Sequence, residues 1–111
     1  IILKEVKKNY KIYKTPYIIM GDFNCYLEDN LFNIIREEET NNTCFNVCYD
    51  NIKNNILGTF HYFKGGYDGR IIDYILYSKE YEIKSLNIDD RKINGGYPSD
   101  HYPVICELEL K

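Results

Sequence analysis

The sequence has no run approaching the ~20 consecutive apolar residues of a bilayer-spanning helix, so no membrane span is expected. Its first apolar stretch, Ile1-Ile2-Leu3, is cut off by Lys4 and is too short for a signal-peptide core. There is also no basic excess. The 14 Lys and Arg residues face 17 Asp and Glu, giving a net charge of −3. Proteins that grip long nucleic acids by their phosphates usually carry such an excess, so tight DNA binding by this chain alone is disfavoured. Zinc-ligand spacing is poor as well. Cys44 and Cys48 are four apart, but Cys25 and Cys106 form no second close pair. Reduced thiols, several of them small buried groups, are therefore expected in a soluble protein of a reducing intracellular compartment. A zinc site or disulfide framework is the lesser alternative. Repeats, low-complexity linkers and an internal domain boundary are all missing. Tryptophan is absent while tyrosine occurs 12 times. AT-rich coding yields such a bias as readily as selection does, so it carries no functional weight.

What is present suits one small domain. The 111 residues are too few for two, and an apolar share of 44% is too high for a disordered chain. The sequence starts at Ile1 rather than Met, which raises the expectation of a fragment or a missing initiator segment. Leu3, Val6, Tyr10 and Tyr13 recur at helical spacing, with Lys4, Lys7, Lys8 and Lys11 opposite them, so residues 2–14 are predicted helical. Thr15-Pro16 ends that helix. Tyr17 to Met20 reads as a strand buried on both faces, stopped by Gly21. Residues 31–38 suit a second helix, and the Asn-rich stretch 41–55 a loop with a turn near Phe45-Asn46-Val47. Strands are then expected at Gly58–Phe63, Ile71–Ser78, Tyr81–Ile88 and Val104–Leu110, with turns at 64–69 and 89–99.

Several polar residues occupy places where chemistry is plausible. Asp22 and Asn24 follow the first strand and, two apart, point the same way, turning Phe23 into the core. A carboxylate beside a carboxamide suits a hard cation or a phosphate, although Gly-Asp-x-Asn is equally good turn chemistry. Asp73 lies in a strand between Ile71 and Ile75 on one face and beside Ile72 and Tyr74 on the other. A carboxylate so placed needs a cation, a histidine or backbone donors. Adjacent Asp100 and His101 precede the last strand and can serve one site as metal ligand and acid/base. His61, between Phe60 and Tyr62, is either a stacked core histidine or a site residue.

Together these pieces resemble the endonuclease/exonuclease/phosphatase superfamily. Ile18-Ile19-Met20-Gly21-Asp22-Phe23-Asn24 is similar to its strand followed by G-D-[FL]-N. Gly69 to Ser78 is similar to its R-[IL]-D-Y strand, with one extra Ile between Arg70 and Asp73. Ser99-Asp100-His101-Tyr102-Pro103-Val104 is similar to its S-D-H-x-P-V motif. All three occur in the family's order.

The resemblance implies an α/β (α+β) fold, part of a four-layer α/β/β/α sandwich, with mainly one mixed or antiparallel sheet and flanking helices. Residues 1–111 would form the C-terminal half of such a domain. The first half normally supplies an Asn and a Glu to the metal site, and no matching segment precedes residue 17. By resemblance, His101 is the phosphate-stabilising or acid/base residue and Asp73 its holder. Asp100 is a metal ligand. Asp22 orients the attacking water and shares in metal binding. Asn24 binds the phosphate, and His61 contacts substrate. Mg2+ or Mn2+ is the implied cofactor. The substrate would be a phosphodiester or phosphomonoester, in nucleic acid or a small phosphorylated molecule. The inositol phosphatase branch, with Trp-Cys-Asp-Arg in place of Ile71-Ile72-Asp73-Tyr74, is disfavoured. A non-catalytic remnant serving as an interaction module is the alternative. Half a sandwich should also expose apolar strand residues, such as Ile72, Tyr74 and Leu76 or Val104, Cys106 and Leu108.

Overall fold

A computed structural model describes residues 2–26, 45–50, 58–66 and 70–111. Helix α1 (Ile2–Tyr13) is followed by strands β1 (Ile18–Asp22), β2 (Asn46–Val47), β3 (Asp73–Tyr77), β4 (Tyr81–Ile88) and β5 (Val104–Leu110). The expected α+β class with antiparallel pairing holds, and among the described residues the strands form the sheets β1-β3-β2 and β4-β5, both antiparallel. The helix expected at 31–38 and Cys44 lie outside the described residues. No helix among the described residues is long and apolar enough to cross a membrane.

Leu3 and Val6 of α1 pack on the core, and Tyr10 is buried edge-on against Tyr17, which in turn meets Phe45. Lys4, Lys8 and Lys11 stay exposed. Tyr13, expected on the buried face, is 70% exposed because it falls in the final turn, beyond the sheet. There Lys14 adopts φ 55° and its N–H reaches the Tyr10 carbonyl, closing the helix with a left-handed residue before Pro16.

β3 is the central strand of its sheet. Tyr74 and Leu76 are fully buried, so two of the apolar residues expected at the surface are core. Val104, Cys106 and Leu108 are partly buried against that core. The exposed apolar side chains lie elsewhere, including Ile18 (41%) and Met20 (69%) on β1. β1 is therefore not buried on both faces. Among the described residues it pairs only with β3, and only Ile19 packs inward. Burial pushes the Cys48 thiol up to about 12, as befits a small core group. Cys25, Cys48 and Cys106 are free thiols.

In β4 the inward residues are Tyr81 and Ile83, then Leu86 and Ile88. A register shift between Ile83 and Ser85 inserts Lys84 and moves the apolar phase from odd to even positions. The segment 45–47 expected as a turn instead makes β2, with Val47 buried opposite Leu76. The strand expected at Gly58–Phe63 is reduced to one bridge, Phe60 with His101. Tyr62 and Phe63 have φ of 56° and 64°, which breaks any extended run.

Candidate active site

β1 and β3 pair in a register that sets Asp22 directly opposite Asp73. Like charges across a strand pair repel, so the two carboxylates create demand for a positive group. His101 supplies one. Its Nδ1 lies 2.8 Å from Asp73 Oδ2, and its Nε2 lies 3.9 Å from both Asp22 Oδ2 and Asp100 Oδ1. Ligand atoms of Asp22, Asp73 and His101 all fall within 4.8 Å of one another. Burial pushes the His101 pKa down, but the hydrogen bond to Asp73 and the charges of Asp73, Asp100 and Asp22 together raise it above its ordinary value.

Backbone pairing sets this geometry. The Phe23 N–H continues the ladder to the Ile72 carbonyl, and Phe23 packs 5.4 Å from the Tyr74 ring, as its inward turn required. Asn24 turns left-handed at φ 50°, and its N–H donates to Asp22 Oδ1 at 2.9 Å. That bond fixes the Asp22 carboxylate and leaves Oδ2 toward His101. On the other side the Thr59 hydroxyl accepts from the Ile72 N–H, while the Tyr102 N–H donates to the Thr59 carbonyl and the His61 N–H to the Asp100 carbonyl. The short ribbon 59–61 thus ties the Asp100-His101 turn to the start of β3. The Tyr49 hydroxyl donates to the Asp73 carbonyl from beneath.

Asp22, Asn24 and His101 line a groove of about 400 Å³. Its other wall holds Tyr26, Phe60, Tyr62 and Arg70, none of which sequence reasoning assigned to the site. The Arg70 guanidinium lies 4.5 Å over the Tyr26 ring, and Phe60 sits 5.0 Å from His101. The only signal was the aromatic density of Phe60-His61-Tyr62-Phe63. His61 does not share this groove. It is buried between Tyr97 and Tyr102, on the other side of His101.

The same arrangement of strands occurs in solved structures. An endonuclease/exonuclease/phosphatase family protein from Bacteroides thetaiotaomicron superposes with a TM-score of 0.79 at 21% identity, over 98% of this chain and 43% of its own. The corresponding protein from Bacteroides vulgatus gives 0.77 at 25% identity, over 99% and 42%. The chain has the endonuclease/exonuclease/phosphatase fold. A curated relative, the probable CCR4-Not complex 3'-5'-exoribonuclease subunit Ccr4 of Vairimorpha ceranae, is 28% identical over 138 aligned positions, covering 100% of this chain and 28% of the relative. The chain therefore spans less than half the length of these solved structures and under a third of the curated relative. No protein-family model matches the sequence.

Proposed function

We propose that this chain supplies one part of a divalent-metal-dependent phosphoesterase site acting on a phosphate ester, in nucleic acid or in a small phosphorylated molecule. The observation that carries the reading is the Asp73–His101 pair standing against Asp22 and Asp100. Asp73 holds the imidazole by Nδ1 and stabilises its protonated form, so Nε2–H is aimed outward to donate to a phosphate or leaving-group oxygen. Asp22, with Oδ1 committed to the Asn24 N–H, keeps Oδ2 to orient a water and accept its proton. The Asn24 carboxamide binds a phosphate oxygen.

The donors fit Mg2+ or Mn2+ in type. Asp22 and Asp100 offer carboxylate oxygens, and their side chains are 40% exposed, while Asp73 is engaged with His101. When bound, the cation neutralises charge on the phosphate and lowers the pKa of a bound water. Two carboxylates fall short of the roughly six oxygen ligands such an ion takes. That shortfall, the exposed Ile18 and Met20 beside the site, and coverage of only 42–43% of the solved structures support residues 1–111 being the C-terminal half of the domain. The remaining half would complete the ligand set.

Paramagnetic broadening by Mn2+ tests the metal assignment. Amide signals of Asp22, Asn24 and Asp100 should broaden first, and Asp100→Asn should weaken the effect. Broadening no greater there than at the exposed Glu82 and Glu109 would refute the site. A non-catalytic remnant would give that second result.

A further inference from the structure

The groove beside Asp22 and His101 is lined by an aromatic ring that an unusual turn holds in the open. The Lys64 N–H donates to the His61 carbonyl at 2.9 Å, closing a turn over residues 61–64. Its two central residues, Tyr62 and Phe63, are both left-handed, at φ 56° and 64°. Turns of this kind favour Asn and Gly, because a bulky side chain on a left-handed residue crowds its own backbone. Burial does not account for the two aromatics, since Tyr62 is 69% exposed and Phe63 61%. Non-glycine residues held in such backbone conformations cluster at ligand sites.

The turn is anchored from behind and faces the groove in front. His61 is buried, stacked 4.1 Å from Tyr102 and tilted 4.7 Å from Tyr97, and its Nδ1 accepts from the Gly65 N–H at 3.4 Å. From His101 the rings lead outward. Phe60 lies 5.0 Å from His101, and Tyr62 lies 4.2 Å from Phe60. Tyr62 thus lines the same groove as Asp22, Asn24 and His101, two ring contacts from the imidazole. Tyr26 lines it too, 39% exposed, with the Arg70 guanidinium 4.5 Å over its ring. Exposed π faces and a guanidinium plane next to a phosphate site suit a flat ring, which gains by stacking on them. A saturated polyol has no π face to offer.

We infer that Tyr62 is a specificity-determining residue that stacks on a planar ring carried by the phosphate ester, so that the site prefers an aryl or nucleoside phosphate to a sugar or polyol phosphate. The inference rests on the phosphoesterase reading above.

NMR titration of the full chain, with magnesium present, tests it with three phosphomonoesters: p-nitrophenyl phosphate, thymidine 5′-monophosphate and glucose 6-phosphate. All three should shift the His101 imidazole. At least one of the ring-bearing probes should bind about ten-fold more tightly than glucose 6-phosphate and move the Tyr62 ring protons upfield. An advantage for thymidine 5′-monophosphate assigns a nucleoside, and one for p-nitrophenyl phosphate alone assigns an aryl ester. Tyr62→Leu keeps an apolar side chain but removes the π face, and should lower the affinity ratio about ten-fold, whereas Tyr62→Phe should retain it. Equal affinity for all three probes, unmoved Tyr62 ring protons, or a ratio that survives Tyr62→Leu would overturn the inference and leave the phosphoesterase reading standing. If no probe shifts His101, both fail.

Discussion

Asp73 and His101, 28 residues apart in sequence, meet at 2.8 Å between Oδ2 and Nδ1, with the Asp73 side chain only 20% exposed. A carboxylate among apolar strand neighbours thereby gains a charge-assisted partner, and an imidazole in a turn gains a fixed orientation. Asp73→Asn removes the charge and keeps the shape. It should lower the His101 pKa, read by NMR titration, and in a complete domain should cut phosphoester hydrolysis by about 10²–10⁴-fold. An unchanged His101 titration would mean the pair does not operate in solution.

The same pair makes stability depend on pH. The folded-state His101 pKa is raised, so its contribution is fully present below the unfolded value of about 6.5 and is lost as pH rises through the folded value. Urea unfolding of the wild type and His101→Ala should therefore differ most near pH 6 and converge as pH climbs into the alkaline range. A gap that widened over that range would contradict the assignment.

Packing gives a third expectation. Leu76→Ala empties a fully buried position in the central strand and should cost about 2–5 kcal/mol. Met20→Thr, on the exposed face of β1, should stay within about 0.5 kcal/mol. Equal losses in denaturant melts would show that the face of β1 is covered in solution.

Much of this was legible in the sequence because local and tertiary preferences agree. Ile71 to Ser78 is rich in β-formers and bounded by turn chemistry, and Val104 to Leu110 alternates cleanly. Both became strands at nearly the expected bounds. The residues alone showed that Asp73 needed a cation, a histidine or backbone donors, and the family resemblance implied that the partner is His101. Other features depend on tertiary context. Val47 is buried in β2 inside an Asn-rich stretch, where composition speaks for a loop. Left-handed Tyr62 and Phe63 defy aromatic backbone preference, so nothing local announced the turn that ended the expected strand. The burial of Tyr74 and Leu76 was missed because a missing half-domain was assumed to uncover β3, whereas α1, β2 and the second sheet pack against the cluster containing them. It is β1, at the edge of the described sheet, that is left bare.

Hydrolysis of bis(p-nitrophenyl) phosphate with magnesium or manganese tests the central claim most directly. It should be compared between the 111-residue chain and a chimera in which this chain replaces the matching segment of the Vairimorpha ceranae relative. The account predicts negligible turnover by the chain alone, and metal-dependent turnover by the chimera that falls at least about 100-fold in His101→Ala. Clear turnover by the chain alone that vanishes in His101→Ala would contradict the incomplete site. Chimera turnover indifferent to His101→Ala would contradict the site itself.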